Sequence, residues 1–380
     1  MIVGAGPAGT RVARILAKAG VRTLIVDKRQ ELGTPIQCSG AVSRHALLEN
    51  EVTPDTEFIH ESVYGFRVMD GNGGNTTIDY RHLKPETYAE DKDPLGYVVD
   101  RRRFDRYLLT QAEKAGAEAW LKAEAIGHSL ENNRALVKIL HYNEEITVKT
   151  KVIVGADGVR SQVGKWAGLQ THIKLTELAS CLQIVVGGVE TNGLLELITG
   201  SATAPGGYAW VFPKGHGYAE LGLGIIAPLT KLNAQQHLDK FIKESFLSDR
   251  FKGAKLLEVQ GGGVPLAAPL KTQYADHIIL VGDAARHVNP ITGGGIHTAL
   301  TGGSVAGHFL VEHLAASDDF TAKAMKGYQD NWLDATGHHM WKLYDIKREI
   351  FRKPKSEEQD ELLFKTMSNY FSPNSEFKKV

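Results

Sequence analysis

Cysteine is nearly absent. Cys38 and Cys181 are the only two in 380 residues, too few for a disulfide framework and without metal-ligand spacing around either. No metal site is expected, and a reducing, cytoplasmic setting fits best. An excess charge of one sign is missing too: Lys and Arg number 44, Asp and Glu 44. No overall field therefore draws the chain to nucleic acid or to an anionic membrane, and any membrane contact has to be local. No apolar run reaches about 18 residues, the length of a spanning helix, and no basic segment leads into an apolar stretch with a small-residue cleavage site. Low-complexity tracts and internal repeats are also lacking. What remains, 42% hydrophobic and 23% charged residues, is the composition of a globular enzyme with room for two domains.

The first residues, Met1 to Val3, run straight into Gly4-Ala5-Gly6-Pro7-Ala8-Gly9. A first strand commonly has five or six residues, so about three predict a weak or clipped one. Val12, Ile15, Leu16 and Ala19 then share a helical face that Gly20 ends, and residues 23–26 read as a strand leading to Asp27. Strand, tight turn, helix and strand in this order make a dinucleotide-binding unit. Gly4 permits the turn, Gly6 lets backbone approach a pyrophosphate, and Gly9 lets the helix pack on the strand. Pro7 and Ala8 begin a helix whose free N–H groups face the phosphates. Asp27 is placed to accept from an adenosine ribose.

Farther on, the pattern predicts a helix over 107–115 and a meander of strands near 117–125, 135–141 and 145–148. A buried strand at 152–154 runs into Gly155-Ala156-Asp157-Gly158. Residues 172–226 alternate as an antiparallel sheet, including Tyr208, Trp210 and Phe212, which fall on one face before Pro213. A helix near 234–246 follows. A second apolar strand at 278–281 delivers Gly282-Asp283-Ala284-Ala285, and after Pro290 the run Gly293-Gly294-Gly295-Ile296 opens a helix. Helical patterns fill the rest.

Together these segments resemble the flavoprotein family that includes para-hydroxybenzoate hydroxylase. The resemblance implies FAD as cofactor, Asp283 on the ribityl chain, and the helix from Gly293–Ile296 aimed at the flavin pyrimidine edge. It further implies cofactor contacts from Lys28, Ala125, Asp157 and Gly158, with Ser161 in the same motif, and from Arg101, for which Arg102 and Arg103 are competitors. Within that family, Tyr208-Ala209-Trp210-Val211-Phe212-Pro213 followed by Gly222-Leu223-Gly224 is similar to the YxWxFP…GxG motif of geranylgeranyl reductases. Pro35-Ile36-Gln37-Cys38-Ser39-Gly40 resembles their cysteine loop, and the 289–295 segment their flavin loop. Ser39 departs from the glycine that many members carry.

The branch implies reduction of isolated double bonds in a prenyl chain, by hydride from reduced flavin N5 and a proton from an acid. Cys38 and Tyr208 are the candidate acids, with Trp210 beside them at the catalytic end; Cys38 and Gly40 are also candidate cofactor contacts. Tyr208, Trp210, Phe212 and Pro213 are candidate substrate contacts. Arg286, His287 and Asn289 either bind a substrate phosphate or face solvent. No second GxGxxG follows a strand, so electrons come from transiently docked NAD(P)H or from ferredoxin. The substrate is a prenylated lipid, met by transient contact at a membrane surface. The stretch with Met340, Trp341, Leu343, Tyr344, Ile346, Ile350 and Phe351 beside Lys342, Lys347, Arg348, Arg352 and Lys353 either lies at that surface or packs on the cofactor domain.

The expected fold class is α/β (α+β): a Rossmann-type FAD-binding domain of residues 1–55, 95–170 and 265–315, interleaved with an antiparallel-sheet substrate domain of 56–94 and 171–264. Residues 316–380 form a helical C-terminal region. A flavin monooxygenase of aromatic or quinone-like substrates, and a non-catalytic prenyl-binding escort, are the rival functions.

Overall fold

A computed structural model describes residues 1–88, 92–352 and 356–375; Lys353 and residues 376–380, parts of two expected segments, lie outside them. Two large sheets organise the chain. The first is six-stranded, in the order Tyr274–Ala275, Ile278–Leu280, Ile153–Gly155, Ile2–Val3, Leu24–Asp27 and Glu118–Leu121. Its pairings are parallel except at the Tyr274–Ala275 edge. The first strand is short, as its sequence implies, but it lies centrally, with Ile2 fully buried between Val154 and Ile25.

Helices pack on this sheet through small residues. Pro7–Lys18 crosses the long helix Ile296–Ala316 at Gly303 and Gly307. A Cβ at Gly303 would come within 2.6 Å of the Ala8 carbonyl, and one at Gly307 within 2.9 Å of Ile15. Behind them, Ala322–Trp332 buries Tyr328 and Trp332 completely, and the Tyr328 hydroxyl donates to the Leu280 carbonyl at 2.7 Å.

The second large sheet has seven strands, ordered Lys255–Pro265, Leu178–Gly187, Tyr218–Ile226, Tyr208–Pro213, Leu194–Thr199, Gly65–Met69 and Asn75–Asp79. Only the Leu194–Thr199/Gly65–Met69 pair is parallel. Ala209, Val211, Leu221 and Leu223 face a core beneath helix Ala234–Glu244, which buries Leu238 and Phe241. The opposite face, with Trp210 and Phe212, packs with Leu343, Ile350, Leu363 and Met367 from helices His338–Ile350 and Glu357–Phe371.

Several elements differ from the expectation. The helix at 107–115 begins earlier, as Arg101–Lys114, because Asp100 caps it by accepting from Arg102 N and Arg103 N; three consecutive arginines obscured its apolar face. The strand at 117–125 is two, Glu118–Leu121 and Ala123–Glu131, broken at Lys122 with φ +51°. The latter joins the expected meander with Arg134–His141 and Glu144–Thr150. Strand Lys255–Pro265 was not expected, since Gly261–Gly263 disfavours the strand state; pairing to Leu178–Gly187 overrides that. In the C-terminal stretch, Met340, Leu343 and Ile350 are buried, so the packed reading of this helix holds for them.

The last described helix is anchored at its start by Asp360, whose carboxylate accepts from Ser201 N at 2.9 and 3.0 Å and from Ser201 Oγ at 2.9 Å. Hydrogen bonds to a charged group contribute about 1.5–3 kcal/mol. Asp360→Ala is therefore expected to lower the Tm by a few degrees and to accelerate proteolysis within 356–375; unchanged digestion kinetics would disprove the anchoring.

Candidate active site

The carboxyl ends of the parallel strands and the Trp210 face of the antiparallel sheet enclose a cavity of about 490 Å³. Its first wall is backbone. Gly4 adopts φ +106° where any Cβ would overlap the Ala156 carbonyl, and Gly6, Pro7 and Ala8 bring the helix N-terminus to the cavity. At Gly6 a Cβ would meet nothing within 4 Å, so its smallness answers no neighbour within the chain. Asp27 is 4% exposed and holds this loop together, accepting from Ala5 N and from Arg29 N, each at 2.9 Å. Lys28 and Ala125 also line the wall.

The second wall holds the polar groups. Asp157 and Gly158 line it, and Asp157 also caps a helix, accepting from Ser161 Oγ, Gln162 N and Val163 N. Of the three arginines only Arg101 reaches the cavity; Arg102 pairs with Glu258 and Arg103 donates to the Glu57 carbonyl. Arg101 is bidentate to Asp105, 3.0 Å on each arm, and lines the cavity together with Cys38. Burial opposes its charge, but Asp105 and Cys38 outweigh burial and raise its pKa. Asp283 is enclosed, and burial pushes its carboxyl up to about 6 against the pull of Arg101. Among the described residues that carboxylate accepts no hydrogen bond. A half-buried carboxylate lining a cavity without a donor is a site for a ligand's hydroxyl groups. Gly282, Pro290, Gly293, Gly295 and Ile296 complete this side, where helix Ile296–Ala316 begins.

The third wall is aromatic and sulfur-rich. Tyr208, Trp210 and Phe212 lie in a row, centroids 5.9 and 6.2 Å apart, and all three line the cavity. Gly222 pairs with Trp210, and a Cβ there would overlap the indole ring; the first glycine of the GxG pair makes room for the tryptophan. The Tyr208 hydroxyl donates to the Thr292 carbonyl in the flavin loop, and burial raises its pKa. Cys38 is a free thiol whose Sγ accepts from Gly40 N at 3.4 Å.

Four expected contacts lie off the wall, and each has another task. A Cβ at Gly9 would overlap the Gly4 carbonyl, and one at Gly40 the Val99 carbonyl. Gly294 closes the flavin turn, donating to Thr292 Oγ1 and accepting from Asn289 N. Pro213 pairs with Ala219 at the strand end. The residues around 286–289 are also internal: His287 is fully buried, stacked on Trp332 at 4.3 Å, and burial pulls it down to about 3. Arg286 donates to the carbonyls of Gln170 and His172. Asn289 caps the flavin loop at Ile291 N and Thr292 N and donates to Tyr370 Oη at 2.8 Å.

Sequence reasoning missed Ala179, Cys181 and Gln183, which alternate along one strand and line the cavity. The signal was present in the alternation of residues 172–226, but alternation alone does not say which face of a strand looks into a cavity. Burial pushes the Cys181 thiol up to about 12. Phe351 and Leu363 also line the cavity, and no local pattern marks them.

The pattern of known proteins matches this geometry. The FAD binding domain family matches residues 1–196, and the geranylgeranyl reductase catalytic domain family matches residues 177–264. Digeranylgeranylglycerophospholipid reductase of Methanosarcina acetivorans is 34% identical, covering 95% of this chain and 86% of its own. The chain belongs to the geranylgeranyl reductase family. The protein of that name from Methanocaldococcus jannaschii is also 34% identical over 95% of this chain and 88% of its own. The crystal structure of a geranylgeranyl bacteriochlorophyll reductase-like protein from Thermoplasma acidophilum superposes with a TM-score of 0.83 at 30% identity, covering 98% of this chain and 96% of that one. A flavin-dependent halogenase, CmlS, shares the fold at 18% identity. This reductase-family chain is an FAD-dependent oxidoreductase acting on carbon–carbon double bonds, with the unpartnered Asp283 and the open Gly6 face fitting the cofactor.

Two expectations follow. Gly4→Ala should prevent folding, whereas Gly6→Ala should leave the Tm nearly unchanged and weaken FAD binding about tenfold or more; equal effects on both would refute the division of labour. Asp283 has a folded-state pKa above its usual value of 3.8, so its ionised form costs stability, a cost absent below about pH 4 and complete above about pH 6. The apoprotein should lose stability across that window, and FAD affinity should fall as pH drops through 6. Asp283→Asn should flatten both profiles, read by calorimetry and flavin fluorescence.

Proposed function

We propose that this reductase saturates isolated double bonds in the prenyl chains of a digeranylgeranylglycerophospholipid, the substrate class in its relatives' names. The observation that supports it is that one cavity carries both the cofactor-type walls and the row Tyr208, Trp210 and Phe212. The aromatic row stabilises an apolar chain by about 25 cal/mol for each Å² it covers, so its shape decides which double bond rests at the reacting position.

Reduced FAD, when bound, supplies the hydride for one alkene carbon. An unactivated alkene accepts hydride poorly, so a proton must polarise the other carbon. Of the two candidate acids, Tyr208 commits its O–H to the Thr292 carbonyl, which favours the Cys38 thiol, held in its loop by Gly40 N. Asp27 and Asp157 hold the loops that face the cofactor, and Asp105 keeps Arg101 in place. On this reading the cofactor is held by segments 1–55, 95–170 and 265–315, and the substrate by segments 56–94 and 171–264. Electrons arrive from NAD(P)H or ferredoxin docking transiently, and the lipid is met at a membrane surface. Among the described residues no helix is long and apolar enough to cross a membrane.

The decisive experiment is anaerobic incubation of the reduced holoprotein with vesicles containing the unsaturated lipid, followed by mass spectrometry; two hydrogens should be added per saturated bond. Oxygen-dependent NADPH consumption stimulated by a phenol, with no saturation, would overturn the proposal in favour of a monooxygenase. Trp210→Phe, which keeps an aromatic in a position only 7% exposed, should retain FAD and alter the hydrogenation pattern. Cys38→Ala should retain FAD and lower kcat by about 100-fold or more, the scale of a lost general acid.

A further inference from the structure

The two motifs at the substrate end, the cysteine loop and the aromatic strand, are distant in sequence. A buried ion pair joins them. Lys214 follows directly on Pro213, and its Nζ lies 2.9 Å from Glu220 Oε2, with the side chains 8% and 0% exposed. The same ammonium donates to the Ser39 carbonyl at 3.1 Å, in the peptide that joins Ser39 to Gly40, next to Cys38. On the other carboxylate oxygen, Glu220 Oε1 accepts from Trp210 Nε1 at 3.3 Å. One pair of charges thus grips both the loop that carries the thiol and the ring that lines the same cavity.

Stability alone does not account for it. Desolvating two charges is costly, and an apolar pair of similar volume is often as stable or more so. What an apolar pair cannot do is donate to a carbonyl on one side and accept from an indole N–H on the other. Gly40 sits at φ +84° with no room for a Cβ beside Val99, so the loop is already pinned on one flank and the ammonium pins the next peptide. Trp210 lies over Gly222, and the carboxylate fixes its rotation about that contact.

We propose that Lys214 and Glu220 are positioning residues for the reduction: their ion pair holds the Cys38 loop and the Trp210 ring at a fixed separation along the cavity wall. The inference rests on the reading of Cys38 and Trp210 as proton-holding and substrate-facing groups.

The test compares the holoprotein with two variants. Lys214→Met/Glu220→Leu removes both charges together and leaves no buried charge unpaired. It should keep FAD and a Tm at or above that of the wild type, while kcat falls by about tenfold or more, since small misplacements in a site cost up to about 100-fold. Cys38 should be alkylated by iodoacetamide about fivefold faster or more, with Cys181 as the internal reference in peptide mass spectrometry. Lys214→Arg, which keeps the charge but replaces the compact ammonium with a longer planar fork, covers the case in which the double variant fails to fold; it should keep the Tm, speed alkylation of Cys38 and lower kcat less. Either folded variant matching the wild type in both kcat and Cys38 alkylation overturns the proposal. A wild type that saturates no prenyl lipid overturns the functional reading instead, and the alkylation rates, measured without substrate, still decide the coupling.

Discussion

Where the parallel strands end, two backbones come so close that a single methyl group would push them apart. Gly4 lies against the Ala156 carbonyl, and Gly9 lies against Gly4 itself. This contact brings the turn after Ile2–Val3 beside the turn after Ile153–Gly155, and it lets the Pro7–Lys18 helix start at the cavity rim. Everything facing the cofactor depends on it. The helix N-terminus arrives at the right depth, Asp27 can reach Ala5 N, and Asp157 can line the same space while capping its own helix. The small-residue crossing at Gly303 and Gly307 continues the principle, drawing in the helix that starts at Ile296 so that two helix N-termini converge on one cavity.

The parts legible in sequence were those set by local rules. Glycine at a tight turn, a strand entering Gly282-Asp283 and alternation through Tyr208, Trp210 and Phe212 each follow from backbone sterics or side-chain period, and the structure reproduces them. Other features depended on distant neighbours. Glycine-rich Lys255–Pro265 is a strand because Leu178–Gly187 supplies its partner. His287 reads as a polar residue beside a cofactor loop, yet Trp332 stacks on it and closes it off. Lys347 reads as a surface cation, but it is buried and donates to the Leu266 carbonyl. Cys181 was visible as a residue and invisible as a wall of the cavity, because nothing local says which face of its strand looks inward.

The aromatic strand serves two masters. Trp210 and Phe212 line the cavity and also belong to the core shared with Leu343, Leu363 and Met367. Packing and substrate contact are therefore not alternatives here. Any substitution that reshapes the cavity also alters a core, and conservative exchanges that keep volume disturb the site with least loss of stability. The buried Glu220 stands at the same junction, its carboxylate touching an indole that is at once core and wall.

The helix that supplies Leu363, with Tyr370 hydrogen-bonded to Asn289, is made after both sheets as the ribosome moves along the chain. Nearly all cofactor-facing groups precede residue 297, whereas this side of the apolar wall waits for residues beyond 350. At about 5–20 residues per second, the nascent protein spends several seconds with its flavin side formed and its lipid side open. Its assembly is thus ordered in time: the site for the water-soluble cofactor comes first, and the greasy compartment is sealed only when the helix carrying Leu363 docks.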